Sequence, residues 1–186
     1  MKKVLYIEGT TCQENGSLRK SFYSLLNKSL GREMPRIIMG DGKTQAVDKF
    51  HTAPVKADEK RFLLVDSDEP CTNKQNLVDG LNKQRIPEQR KVTATVENTF
   101  FMIQEAETWI MSQPDVLKQQ RIRTELLPKR PLKDVSDPSD VLADIYRKSG
   151  KEYHKVRDFI KLFPYLDAEK LEEFSSEYKA LVNALK

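Results

Sequence analysis

Apolar positions along the chain recur at two different periods, and the alternation between them lays out a fold. Val4 to Ile7 is a short, partly β-branched run that stops at Glu8-Gly9 and reads as a buried strand. Leu18, Phe22, Leu25, Leu26 and Leu30 then recur at helical spacing, with Ser17 placed to cap the helix start and Gly31 to end it. Arg36 to Met39 reads as a second strand stopped by Gly40-Asp41-Gly42, and residues 44–52 as a helix with Ala46, Val47 and Phe50 inward. Phe62 to Val65 reads as a third strand, Asn73 to Gln84 as a helix on Leu77, Val78 and Leu81, and Thr99 to Ile103 as a fourth strand. Glu105 to Met111 starts a further helix. Strands that alternate with helices predict an α/β fold: a mainly parallel, four-stranded sheet with helices on both faces.

The character changes after Pro114. Residues 117–133 hold Lys118, Arg121, Arg123, Lys129, Arg130 and Lys133 against Glu125 alone, and Pro128, Pro131 and Pro138 interrupt helices there. Helical spacing then returns. Tyr153, Val156, Ile160 and Phe163 make one stripe, and Leu171, Phe174, Tyr178, Leu181 and Leu185 another. The expected organisation is an α/β domain over residues 1–113, followed by a basic connector and helical extension over residues 114–186.

Composition removes several classes of function. At 186 residues the chain can bury a core without disulfides, and its two cysteines, Cys12 and Cys71, lack the spacing of a zinc site. The N-terminal apolar run ends at Glu8, too soon for a signal-peptide core, and no stretch is long enough to span a bilayer. The expectation is a cytoplasmic protein with no membrane partner. Residues 117–133 alone carry a net charge of +5, so the remainder of the chain sums to about −1 of the overall +4. That segment suits either a nucleic-acid backbone, met by Arg121, Arg123, Lys129 and Arg130, or an ordinary solvated connection. GDGKT, residues 40–44, has Ile37 where a phosphate-binding loop needs its first glycine, so it reads as a turn.

Candidate chemistry gathers at one edge. Reactive groups of parallel sheets collect beyond the carboxyl ends of the strands. Glu8 follows the first strand there, Asp66 and Asp68 the third, and Glu105 and Glu107 the fourth. Asp66 and Asp68, two positions apart, would face the same way and repel, which calls for a compensating cation or bulk water. Aspartates also follow strands simply as turn formers and helix caps. The functional alternative is a Mg²⁺ (or Mn²⁺) site, since such hard ions take a few carboxylates plus waters and substrate phosphates. A metal so held activates water or stabilises a leaving oxygen in phosphodiester cleavage.

IEGTT after the first strand and LLVDSD after the third resemble the Toprim domain of topoisomerases, primases and overcoming-lysogenization-defect type nucleases. That domain carries a Glu after its first strand and Asp-x-Asp after its third. FFMIQEAETWIMSQPDVLK, residues 100–118, is similar to a segment of a bacterial Toprim-like family of unknown function, matched at Met102, Gln104, Glu107 and Trp109. Members of that family often sit beside ABC/AAA-type ATPase genes in defence loci. Leu127 to Leu185, with Tyr153 and Lys155, resembles its helical tail. The resemblance implies a Toprim-type nuclease acting on DNA or RNA in anti-phage defence with an ATPase partner. It implies Asp66 and Asp68 as Mg²⁺ ligands, Glu8 as ligand or general acid/base, and Glu107 as a further ligand. Glu105, out of step with that alignment, reads as solvent-facing, and Trp109 as core. Two other readings stand beside the nuclease: a non-catalytic regulatory or partner-binding subunit, and a phosphotransfer enzyme on small substrates.

Overall fold

A computed structural model describes residues 1–9, 12–85 and 87–186; Thr10 and Thr11 of the IEGTT segment lie outside the described residues. Four strands, β1 (Lys2–Ile7), β2 (Arg36–Met39), β3 (Glu59–Asp66) and β4 (Thr99–Met102), form one all-parallel sheet in the order β2-β1-β3-β4. Helices α1 (Cys12–Leu30), α2 (Lys43–Thr52) and α3 (Lys74–Asn82) connect them. The helices α4 (Glu107–Met111), α5 (Pro114–Gln119), α6 (Pro138–Lys148), α7 (Lys155–Leu162), α8 (Ala168–Phe174) and α9 (Ser176–Leu185) follow.

The strands are apolar on both sides because both faces are covered. Leu5, Ile7, Phe62, Leu64, Phe100 and Met102 face α1 and the C-terminal helices, whereas Val4, Tyr6, Leu63, Val65 and Phe101 face α2 and α3. The chain leaves β1 for β2 on one side and returns past it to β3, so right-handed crossovers put α1 and α2 on opposite faces. The carboxyl ends of β1 and β3 are therefore a topological switch point, where a crevice opens between diverging connections.

Helices beyond residue 114 share the core of α1: Trp109, 1% exposed, packs edge-on to Tyr178 at 5.2 Å, and Phe22 packs edge-on to Phe163 at 5.0 Å. The Ser21 hydroxyl donates to the Ile160 carbonyl at 3.1 Å, tying α1 to α7. Glu177 accepts the Phe101 amide at 3.1 Å, so α9 occupies a bonding position on the outer edge of β4.

Several boundaries differ from the sequence pattern. The first helix begins at Cys12, so Ser17 lies inside it and is no cap; its polar first turn carries no apolar period to read. Gly31, with φ 51°, does end it in the left-handed conformation that favours glycine. Pro138 starts α6 rather than breaking a helix, since a first-turn position needs no amide hydrogen. The last apolar stripe is split at Ser175, whose side chain accepts the Tyr178 amide and caps α9; Phe174, just before the break, is exposed. Among the described residues no helix is long and apolar enough to cross a membrane.

Candidate functional site

The switch point is acidic, and the backbone builds it. Ile7 pairs with Leu64 and Asp66 with Met102, so three strands end at nearly one level. Glu8 continues β1 and accepts the Asp66 amide on Oε2 at 3.0 Å, which fixes its carboxylate between β1 and β3. Asp66 closes β3; its Oδ1 accepts the Ala106 amide at 2.9 Å where the chain enters α4. Beyond Asp66 the chain is laced to the β4–α4 loop. Ser67 and Asp68 donate their amides to the Met102 and Gln104 carbonyls at 3.0 and 2.8 Å, and the Gln104 amide donates to the Ser67 hydroxyl at 2.6 Å. Asp68 and Gln104 both take positive φ, 59° and 61°, which reverses the chain tightly at the rim.

That reversal overturns the expected side-by-side pair. Asp66 is buried, while Asp68 points outward from a left-handed turn, and each has its own cation. Lys43 holds Asp68 at 2.8 Å. Lys155, at the start of α7, stands 3.7 Å from Asp66, 3.6 Å from Glu105 and 3.3 Å from Glu107. Glu105 is not solvent-facing as expected: besides Lys155, it accepts the Ser139 amide at 2.6 Å and pins the start of α6. Glu107 is fully buried; it accepts the Tyr153 hydroxyl on Oε1 at 3.0 Å, while its Oε2 has no hydrogen-bond partner.

A cavity of about 530 Å³ opens on this cluster. Glu8, Asp66, Lys155 and Asp41 supply its polar lining, and Phe22 and Phe159 are part of its apolar wall. Asp41 follows β2, so a third strand end contributes a carboxylate. The turn that carries it depends on Gly40: a Cβ there would fall 2.4 Å from the Ala46 amide nitrogen.

Burial raises the proton affinity of all three inner carboxyls. Asp66 is pushed well above the usual range by burial and then by the Glu8 carboxylate, with Lys155 opposing. Burial raises Glu8 against the Asp66 amide, with Asp68 adding to the rise and Lys43 and Lys155 opposing it. Burial raises Glu107, and Lys155 is the main opposing influence. For Lys155 burial acts downward, but Asp66, Glu107 and Glu105 outweigh it, so its ammonium is held more tightly than usual. The arrangement is a set of hard oxygen donors that hold either protons or cations.

Sequence reasoning found Glu8, Asp66, Asp68 and Glu107 and gave no part to Lys155, Lys43 or Asp41. The demand for a cation was readable, but its source lies 89 positions beyond Asp66 in an unremarkable helix start. Lys43 and Asp41 lay in plain sight in GDGKT, at the same sheet edge. The four basic residues of the connector do not line the cavity. Arg123 pairs with Glu125 at 2.7 Å, Arg121 sits in a left-handed turn with φ 58°, and Lys129 and Arg130 are exposed.

No curated protein and no solved structure matches the chain. A family model does match, over residues 7–186, which takes in β2 to β4, the end of β1 with Glu8, and the C-terminal helices. The chain therefore belongs to the family described as Domain of unknown function (DUF4276).

Proposed function

We propose that this chain is a Mg²⁺-dependent, Toprim-type nuclease that hydrolyses phosphodiester bonds of DNA or RNA, working with an ABC/AAA-type ATPase in anti-phage defence. The observation that carries the reading is the Glu8–Asp66 pair: two partly desolvated carboxyls on neighbouring strand ends, joined through the Asp66 amide and opening into one cavity. Two such carboxylates suit Mg²⁺ or Mn²⁺, which complete their shells with waters and substrate phosphate. Among the described residues no three His, Cys, Asp or Glu side chains are grouped to hold a metal, so an all-protein cage is not the model for this site. Bound at Glu8 and Asp66, the ion would supply charge to activate a water and to stabilise the leaving oxygen.

The chain's own groups have separable tasks. Glu8, raised in proton affinity by burial, takes the proton of the attacking water or shares the ion. Lys155 places a fixed positive charge on the cavity wall, where it can meet a non-bridging phosphate oxygen. Glu107 and Tyr153, behind it, hold that ammonium in place, a role we favour for Glu107 over direct ligation because its near oxygen is already engaged. Asp68 and Lys43 form the outer pair at the rim.

The test is cleavage of labelled DNA and RNA by the purified chain, alone and with any ATPase encoded beside its gene, in Mg²⁺ or Mn²⁺. Cleavage that a chelator stops is the expected result. One observation favours a second reading, a non-catalytic regulatory subunit: Lys155 already satisfies three carboxylates internally. A complex that alters ATP hydrolysis by the partner but cuts no nucleic acid would establish that reading.

A further inference from the structure

A second site lies on the other side of α7. Lys151, Arg157 and Lys161 line a depression of about 250 Å³, together with Gln120, Tyr146 and two carboxylates, Glu152 and Asp158. Arg157 and Lys161 are four residues apart on one helix, so they project from one face. The two carboxylates of the lining have contacts of their own, which leave one cation in excess. Asp158 accepts the His154 amide at 2.7 Å and so caps α7, and Glu152 faces the His154 ring at 3.1 Å. The Arg157 contact with Asp158 is long, 3.9 Å, and Lys161 has no ion pair among the described residues. Lys151 donates to the Gln120 carbonyl, which ties this rim to the end of α5.

We propose that this depression binds a phosphate of a nucleic-acid backbone, as an anchor for strand passing over α7 to the acidic cavity. The ligand class rests on the nuclease reading; the site itself rests on three cations that outnumber its two carboxylates, with Lys161 in no ion pair among the described residues. The same helix carries Lys155 into the cavity, so both sites are set by one rigid element. The floor connects them as well. The Tyr146 ring packs edge-on to Tyr153 at 5.2 Å, and Tyr153 donates to Glu107, which holds Lys155. A concave site suits a discrete phosphate better than a flat anionic bilayer, which cannot follow the chain into it. On this proposal the nucleic-acid contact extends from the connector to the α7 side of the molecule.

The experiment is nucleic-acid binding across a salt series, in chelator, with the full chain and its ATPase partner where one exists. Arg157→Gln/Lys161→Gln is compared with wild type and with the charge-matched Lys83→Gln/Lys91→Gln, which alters exposed positions beyond the end of α3. Lys151 is left intact because it also holds the Gln120 carbonyl. Loss of the one anchored phosphate should reduce the log–log salt slope by about 0.9 on duplex or about 0.7 on single strands, with an unchanged unfolding midpoint and an unchanged control. An unaltered slope, an equal fall in the control, no binding by wild type, or an effect confined to phosphatidylserine vesicles would overturn the proposal. A reduced slope in a protein that never cleaves would retain this site and discard the nuclease reading. Cleavage with an unaltered slope would do the reverse.

Discussion

Lys155→Met probes the centre of the site. The substitution keeps an unbranched apolar stem beside Phe159 but removes the ammonium facing Asp66, Glu105 and Glu107. Glu107 is fully buried and the Asp66 side chain 6% exposed, so both would be left as buried acids without a cation. Removing one partner of a buried pair costs ~3–5 kcal/mol. Here the Lys155 side chain is 35% exposed, and the carboxyls can take up protons, so the low end, about 3 kcal/mol, is the expectation. For a chain of this size that lowers Tm by roughly 6–12 °C. The sign with pH follows from the raised carboxyls. Their folded-state contribution to stability is present in full below the unfolded carboxylate range and is lost as pH rises through their raised values. Removing Lys155 raises them further, so the deficit should be greatest near neutrality and small near pH ~4, the unfolded carboxylate range. Urea unfolding of both proteins across that range measures it. A deficit that is the same at both ends, or absent, would refute the claim that Lys155 neutralises this cluster.

Four further outcomes follow from the same contacts. Excess Mg²⁺ or Mn²⁺ at about 100 times its Kd should add ~2.7 kcal/mol to wild-type stability, and Glu8→Gln/Asp66→Asn should abolish that gain in a thermal-shift titration. Tyr153→Phe removes a donor from Glu107 and should cost about 1–3 kcal/mol by urea unfolding, with a rise in the pH at which Glu107 titrates. Gly40→Ala drives a methyl into the α2 backbone and should destabilise by about 1–3 kcal/mol in the same assay. Neutralising Arg121, Arg123, Lys129 and Arg130 together should weaken nucleic-acid binding and flatten its salt dependence; an unchanged slope would assign the connector to solvation.

The α/β order was legible because each strand is a dense apolar run and each early helix keeps a clean period, as in Leu18, Phe22, Leu25 and Leu30. The acids of the site were legible for a topological reason: parallel strands bring their carboxyl ends to one edge, so the residues after Ile7, Val65 and Met102 had to converge there. What could not be read was which cation answers them. Lys155 reaches Asp66 only because α7 docks on α1, and no local pattern around it encodes that docking. The left-handed turns at Asp68 and Gln104 were hidden too, since neither is a glycine and both depend on the lacing between the β3 and β4 ends. Helix ends were least visible where the first turn is polar, as at Cys12, or where a serine cap sits inside an apolar stripe, as at Ser175.

The central claim is that the cavity cuts phosphodiester bonds with Glu8 as an essential group, and Glu8→Gln tests it most directly. The change keeps the side chain's shape and leaves an acceptor for the Asp66 amide, so folding and nucleic-acid binding should stay near wild type. Cleavage of DNA or RNA in Mg²⁺ or Mn²⁺, measured with any ATPase partner present, should fall by roughly 10²-fold or more. Full cleavage by the variant, or none by the wild type under any of these conditions, would contradict the account.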